Sequence, residues 1–296
     1  MPQIDSQTQK VGLIGWPLEH SLSPLMHNAA FDHLGLNWVY LALPFPPHHL
    51  EDALRGLRSL GFKGFNITAP YKQAILPFVD DMSPLAQILG AINTVIIRET
   101  ADGSRVFYGD NTDVEGFLYA VQPLLQRVAH DHALILGAGG AARAVAYALC
   151  KVGFKTLTFM ARNLARAHLL EEEAQKWGFS TSFKSVPPSA ASLCALAEQI
   201  SLLVNATPVG TWPTIHASPL PDDFVIPPHC LVVDLVYNPS KTRLLLQAEK
   251  AGALAINGLG MLVQQGVLSF RAWTGLDAPI EVMVQACLNA IHHVEE

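Results

Sequence analysis

Apolar residues along this chain fall into short continuous runs, separated by stretches of helical period. From Ala133 onward, the runs Ala133–Leu136, Thr156–Met160, Ser182–Ser185, Leu202–Asn205, Leu231–Leu235 and Ala253–Ile256 read as strands. Helical patterns over Ala141–Lys151 and Thr242–Lys250 fall between members of that series. Unbroken apolar strands alternating with helices predict a parallel sheet covered on both faces, the doubly wound α/β (Rossmann-like) arrangement. The N-terminal part alternates as well. Strands are expected there at Val11–Ile14, Trp38–Leu43, Gly64–Ile67 and Asn93–Ile97, and helices at Pro24–Leu34, His48–Leu60 and Lys72–Val79. This predicts a second α/β domain, with the boundary near Asp113, where a helical stretch begins at Val114. The final segment, Met261–Ile291, carries two helical patterns and no strand, and its periodicity is compatible with packing on either domain.

Length and composition narrow the function classes. The 296 residues suffice for two domains with their own cores. Half of them are apolar and 15% charged, as in a folded globular chain. A formal charge of -6 leaves no basic footprint for nucleic acid. Cys150, Cys194, Cys230 and Cys287 lie far apart without a CxxC pair or a histidine at ligand spacing, so neither a metal centre nor a disulfide framework is expected. Met1–Lys10 is polar, without the apolar stretch of a signal peptide. Ala133–Cys150 is apolar, but Arg143 and a glycine-rich turn interrupt it, which favours strand-turn-helix over a membrane span. A cytoplasmic protein with no membrane or nucleic-acid partner is the expectation.

That turn is the first candidate site. Gly137-Ala138-Gly139-Gly140-Ala141-Ala142 joins an apolar strand to a helix. Glycines there let the backbone approach a pyrophosphate, which the helix amide ends then face. After the next strand stand Arg162, Asn163 and Arg166, and positions 161–166 hold no acid. An acidic residue there would bind a ribose hydroxyl, whereas arginines accommodate a 2′-phosphate, so NADP is the expected cofactor.

Four polar clusters mark the N-terminal domain. Gly15–Pro24 brings Ser21 and Ser23 to the start of a helix, where Ser23 before Pro24 also reads as an N-cap. Phe65–Lys72 ends a strand in Asn66, Thr68 and Lys72. Gly90–Thr94 supplies Asn93, and Gly109–Asp113 closes with carboxylates. Each alone reads more readily as turn chemistry. Together they suggest a polyhydroxylated ligand, since every buried hydroxyl needs a partner.

These motifs, in this order, resemble the shikimate dehydrogenase family. The resemblance spans essentially the whole chain: Ser21-Leu22-Ser23-Pro24, Asn66-Ile67-Thr68-Ala69-Pro70-Tyr71-Lys72, Gly90-Ala91-Ile92-Asn93-Thr94, Gly109-Asp110-Asn111-Thr112-Asp113, the glycine turn, Asn205–Gly210, Asp234–Pro239 and Gly258–Gln265. It implies NADPH-dependent reduction of 3-dehydroshikimate to shikimate, in the pathway to chorismate and the aromatic amino acids. It implies Lys72 and Asp113 as the catalytic pair, Ser21 and Ser23 at the substrate carboxylate, and Asn66, Thr68, Asn93, Tyr237 and Gln265 around the ring. Gly137, Ala138, Gly139, Gly140, Ala141, Arg162, Asn163, Arg166, Thr207, Gly258 and Met261 would hold NADP, and no metal is implied. The implied division is residues 1–112 for substrate, 113–258 for NADP, and 259–296 as C-terminal helices returning to the first domain. A homodimer is compatible with it. The chain departs from the family at Ala161, where an asparagine often frames the adenosine, while both arginines are kept. A quinate/shikimate dehydrogenase of relaxed substrate or cofactor choice is the alternative, and a non-catalytic sensor of the same fold the remote one. Retention of both Lys72 and Asp113 argues against the sensor.

Overall fold

The computed structural model describes residues 4–292, and the outermost residues of the expected 1–112 and 259–296 spans lie outside them. The chain divides into two compact units, one running to Gly116 and resuming at Leu262, the other comprising residues 117–261.

In the first unit, strand β1 (Gln9–Gly15) leads through helix α1 (Ser23–His33) to β2 (Trp38–Pro44), and α2 (Leu50–Ser59) to β3 (Phe62–Ile67). A short α3 (Tyr71–Ala74), β4 (Asp81–Met82) and α4 (Pro84–Leu89) precede the hairpin of β5 (Thr94–Glu99) and β6 (Arg105–Asp110). The sheet order is β2-β1-β3-β5-β6-β4. β1 pairs in parallel with β2 and β3, while β5 runs antiparallel to both β3 and β6. The sheet is therefore mixed. Ile14, Leu54, Phe65, Ile67, Tyr71, Val95 and Phe107 build one of its buried clusters.

Helix α5 (Asp113–Leu125) crosses into the second unit. There β7 (His132–Leu136), α6 (Gly140–Lys151), β8 (Thr156–Met160), α7 (Leu164–Ala174), β9 (Ser182–Val186), α8 (Ala190–Leu196), β10 (Leu202–Asn205), β11 (Leu231–Asp234), α9 (Arg243–Lys250) and β12 (Leu254–Asn257) follow. Their order is β12-β11-β10-β7-β8-β9, with every neighbouring pair parallel. This is the doubly wound order, which reverses direction between β7 and β10. Central strands β7, β10 and β11 are buried at every residue, whereas the edge strands β9 and β12 are partly exposed. The apolar runs of the sequence are thus the strands covered on both faces.

Helices α10 (Leu259–Thr274) and α11 (Ile280–His292) complete the chain. Most of α10, and α11 as far as it is described, belong to the first unit. Gly64 on β3 makes this packing possible: a Cβ there would lie 2.2 Å from the Trp273 indole nitrogen, which donates to the Val95 carbonyl at 3.0 Å.

Several local expectations shift. The helix expected over Lys72–Val79 ends at Ala74 and continues as a 3-10 turn, Leu76–Phe78, where Pro77 has no amide to donate. Helix α1 begins at Ser23 itself with Leu22 as its N-cap, so Ser23 is not the cap. Strands β4 and β6 and helices α4, α7 and α8 have no counterpart in the sequence-based pattern.

Candidate active site

Two groups of candidate residues form, one in each unit. In the first unit, the end of β3, α3, the segment before β5 and the start of α5 bring Lys72, Asn93 and Asp113 together. Lys72 Nζ donates to Asp113 Oδ2 at 2.6 Å, and their side chains are only 16% and 5% exposed. Asn93 Nδ2 donates to Asp113 Oδ1 at 2.8 Å and to Thr112 Oγ1 at 2.9 Å, and lies 3.4 Å from Gln265 Oε1. Both carboxylate oxygens of Asp113 are therefore engaged, and Asn111 Oδ1 accepts its backbone amide at 3.1 Å. Local folding explains the meeting. Ile92 N donates to the Lys72 carbonyl at 2.8 Å, which fastens α3 beside the strand that follows Asn93. Gly116 allows α10 to approach α5, since a Cβ there would stand 2.8 Å from Gln265.

Ser21, Ser23 and Thr68 lie in the same unit, Ser21 on the loop after β1, Ser23 at the first residue of α1 and Thr68 on the loop after β3. The Ser21 hydroxyl accepts the Ser23 amide at 3.3 Å, and Thr68 N donates to the Ile14 carbonyl at 2.9 Å. The Thr68 methyl lies so close to Gly15 that a Cβ there would come within 2.4 Å of it. Among the described residues the Ser23 and Thr68 hydroxyls make no hydrogen bond, so both are free to serve a ligand. Asn66 is different. It is 5% exposed, and its amide is taken up by Tyr40, Asn93, Thr94 and Ser269.

In the second unit the glycine turn sits at the end of β7, beside the reversal point of the sheet. Gly137 has φ +110°, which favours glycine, and a Cβ on it would meet the Ala206 carbonyl and Thr207 methyl at 3.2 Å. A Cβ on Gly139 would meet nothing within 4 Å. No side chain caps α6, whose first turn is Gly140, Ala141 and Ala142. An open, uncapped amide end of a long helix suits a pyrophosphate. Arg162 and Arg166 are exposed at the end of β8 and the start of α7. Asn163 caps α7, its Oδ1 accepting the Arg166 amide at 3.0 Å. Thr207 is fixed by Asn205 Oδ1, which accepts its amide at 3.0 Å and its hydroxyl at 2.6 Å. Asn205 in turn donates to Asp234 at 2.9 Å, and Thr242 donates to the other Asp234 oxygen at 2.6 Å. Burial raises the Asp234 carboxyl above the usual range. Tyr237 follows β11 in this unit, Gly258 packs against the Leu235 carbonyl, and Met261 lies in the first turn of α10.

The residues that sequence reasoning passed over are Tyr40, Thr94, Thr112 and Ser269, all behind Asn93. Thr94 and Thr112 stand within the Gly90–Thr94 and Gly109–Asp113 motifs, and Ser269 stands one helical turn after Gln265 on the same face, whereas Tyr40 gave no signal. Among the described residues no cluster of potential metal ligands occurs and no helix is long and apolar enough to cross a membrane.

A doubly wound sheet with a glycine turn at its reversal point, and a separate α/β unit bearing a partly buried lysine–carboxylate pair, define a two-domain oxidoreductase of the nicotinamide-nucleotide class. Family models sharpen this: the shikimate dehydrogenase substrate binding domain matches residues 13–95, and the shikimate 5'-dehydrogenase C-terminal domain residues 258–288. A Methanopyrus kandleri protein named shikimate dehydrogenase (NADP(+)) is 44% identical over 97% of both chains. The crystal structure of a shikimate dehydrogenase in complex with NADP+ superposes with a TM-score of 0.85 at 38% identity, covering 98% of each chain. That of the Thermus thermophilus shikimate 5-dehydrogenase with NADP(H) and shikimate gives 0.80 at 40% identity, covering 95% of this chain and 99% of the other. This chain belongs to the shikimate dehydrogenase family.

Proposed function

We propose that this chain is an NADP-dependent shikimate dehydrogenase, which reduces 3-dehydroshikimate to shikimate in the cytoplasmic route to chorismate and runs the reverse oxidation. Residues 1–112 with the C-terminal helices 259–296 take the substrate, and residues 113–258 take NADP. The observation that carries the reading is the partly buried Lys72–Asp113 ion pair at 2.6 Å, flanked by Asn93 and Gln265.

When bound, NADPH supplies the hydride that reduces the ketone carbon. The developing alkoxide then needs a cationic partner and a proton, and Lys72 has both. One of its three N–H groups goes to Asp113, which leaves two for the substrate oxygen. Proton transfer from the ammonium completes the alcohol, and a neutral lysine regains its proton from water. Asp113 holds the Lys72 side chain in place and is itself held by Asn93. The unbonded hydroxyls of Ser23 and Thr68, with Ser21, suit the substrate carboxylate and ring hydroxyls, as do Asn93, Gln265 and Tyr237. For the cofactor, Gly137 to Ala141 would receive the pyrophosphate, with Thr207, Gly258 and Met261 lining the remainder. Arg162 and Arg166 would pair with the 2′-phosphate, since bidentate guanidinium–phosphate contacts are strong and specific.

Steady-state kinetics of Lys72→Ala test this assignment. The variant is expected to lose at least about a hundredfold in kcat while the KM for shikimate changes little. Intact kcat with a collapsed KM would make Lys72 a binding residue instead.

A further inference from the structure

A run of buried polar side chains stands behind the Lys72–Asp113 pair. Asn66 is 5% exposed, and Thr94 and Ser269 are fully buried. Such burial is costly unless every donor and acceptor is satisfied in a consistent sense. The sense can be followed from group to group. The Asn93 backbone carbonyl can only accept, so Asn66 Nδ2 faces it at 3.2 Å and Asn66 Oδ1 faces Tyr40, whose hydroxyl donates at 2.8 Å. Asn66 Nδ2 also reaches Thr94 Oγ1 at 3.0 Å and Ser269 Oγ at 2.8 Å. The two Nδ2 protons are shared among these three oxygens, and both hydroxyls send their own protons onward.

The Ser269 proton goes to the Gln265 carbonyl at 3.0 Å, one turn back along α10. The Thr94 proton goes to Asn93 Oδ1 at 3.0 Å, which also accepts the Thr112 amide at 2.8 Å. With its oxygen held from two sides, the Asn93 amide turns its nitrogen on Asp113.

We propose that Asn66 is a positioning residue and not a substrate ligand. Through Thr94 it orients Asn93 against Asp113, and through Ser269 it sets the α10 turn that carries Gln265. The inference rests on the reading of Lys72 and Asp113 as the catalytic pair. It concerns hydrogen-bond sense rather than bulk packing, so a hydroxyl-preserving substitution must rescue what an isosteric apolar one loses.

The test is steady-state oxidation of shikimate with NADP by Thr94→Val, Thr94→Ser, Asn66→Ser and Lys72→Ala, each with its thermal melt. Thr94→Val is expected to lower kcat about fivefold to tenfold, the worth of about one hydrogen bond, with KM for shikimate within about twofold. Thr94→Ser should recover wild-type kcat to within about twofold, and Asn66→Ser, which cuts both arms, should lower kcat and also raise KM for shikimate. The proposal is overturned if Asn66→Ser raises KM with kcat intact. It is equally overturned if Thr94→Val turns over at the wild-type rate while Lys72→Ala is inactive, or if Thr94→Ser is as slow as Thr94→Val. Full turnover by Lys72→Ala would instead bring down the catalytic reading itself. Should Thr94→Val fail to fold, Ser269→Ala carries the test: a raised KM for shikimate supports the proposal, and unchanged kcat and KM overturn it.

Discussion

His27 is wholly buried on α1, its ring stacked 4.4 Å from Tyr40, and neither ring nitrogen finds a hydrogen bond. Burial pushes its imidazole down to about 3. The unfolded chain presents the same ring near 6.5, so below that pH it binds a proton the native state refuses. Stability from this group is complete above about 6.5 and is lost as pH falls towards 3, at up to about 1.4 kcal/mol per pH unit. Asp234 works in the opposite sense, because its buried carboxyl is raised and takes up a proton before the unfolded chain does. Comparing the native protein with His27→Phe cancels that contribution. Denaturant unfolding of the two from pH 7 to pH 4 should show a stability difference that moves steadily in favour of His27→Phe on acidification. A difference independent of pH would mean that His27 has a proton-accepting partner.

At the scale of single elements, the glycine turn and the helix it opens make a sharp pair of expectations. Gly137 is strained for any other residue and crowded by Ala206 and Thr207, so Gly137→Ala should lower the melting temperature. Gly139 stands in open space, so Gly139→Ala should melt as the native protein does while its KM for NADPH rises about tenfold, about 1.4 kcal/mol. An unchanged KM for NADPH in Gly139→Ala would show that no ligand phosphate approaches that backbone. Arg162→Ala should likewise weaken NADPH by about tenfold and leave NADH unchanged, the signature of a 2′-phosphate contact. The same elements show what the sequence made legible. Strands β7, β10 and β11 were readable because both of their faces are covered and their residues are uniformly apolar. Strand β6, Arg105–Asp110, was not, because it alternates buried and half-buried positions with a charge at each end. Helix α3 was overestimated because Pro77 diverts the chain into a 3-10 turn. Lys72, Asn93 and Asp113 could be named from their motifs, but Ser269 and Tyr40 joined the site only through packing of α10 and β2, which no local pattern encodes.

For the whole molecule, the proposed cofactor and reaction sites fall in different units. The doubly wound unit alone would define a nucleotide binder and nothing of its substrate. The mixed-sheet unit alone would offer a lysine, a carboxylate and unbonded hydroxyls with no source of hydride. With a net charge of -6, anionic ligands would depend on local features, for which we propose the uncapped helix start, Arg162 and Arg166, and Lys72. The central claim is therefore joint selection of one cofactor and one substrate by one chain. The direct measurement is the initial rate of reduced cofactor formation, followed by absorbance, for shikimate and quinate each paired with NADP and NAD. The account predicts that shikimate with NADP gives the highest kcat/KM of the four pairs, by about tenfold or more over shikimate with NAD. A higher kcat/KM for quinate or for NAD, or no turnover with any pair, would contradict it.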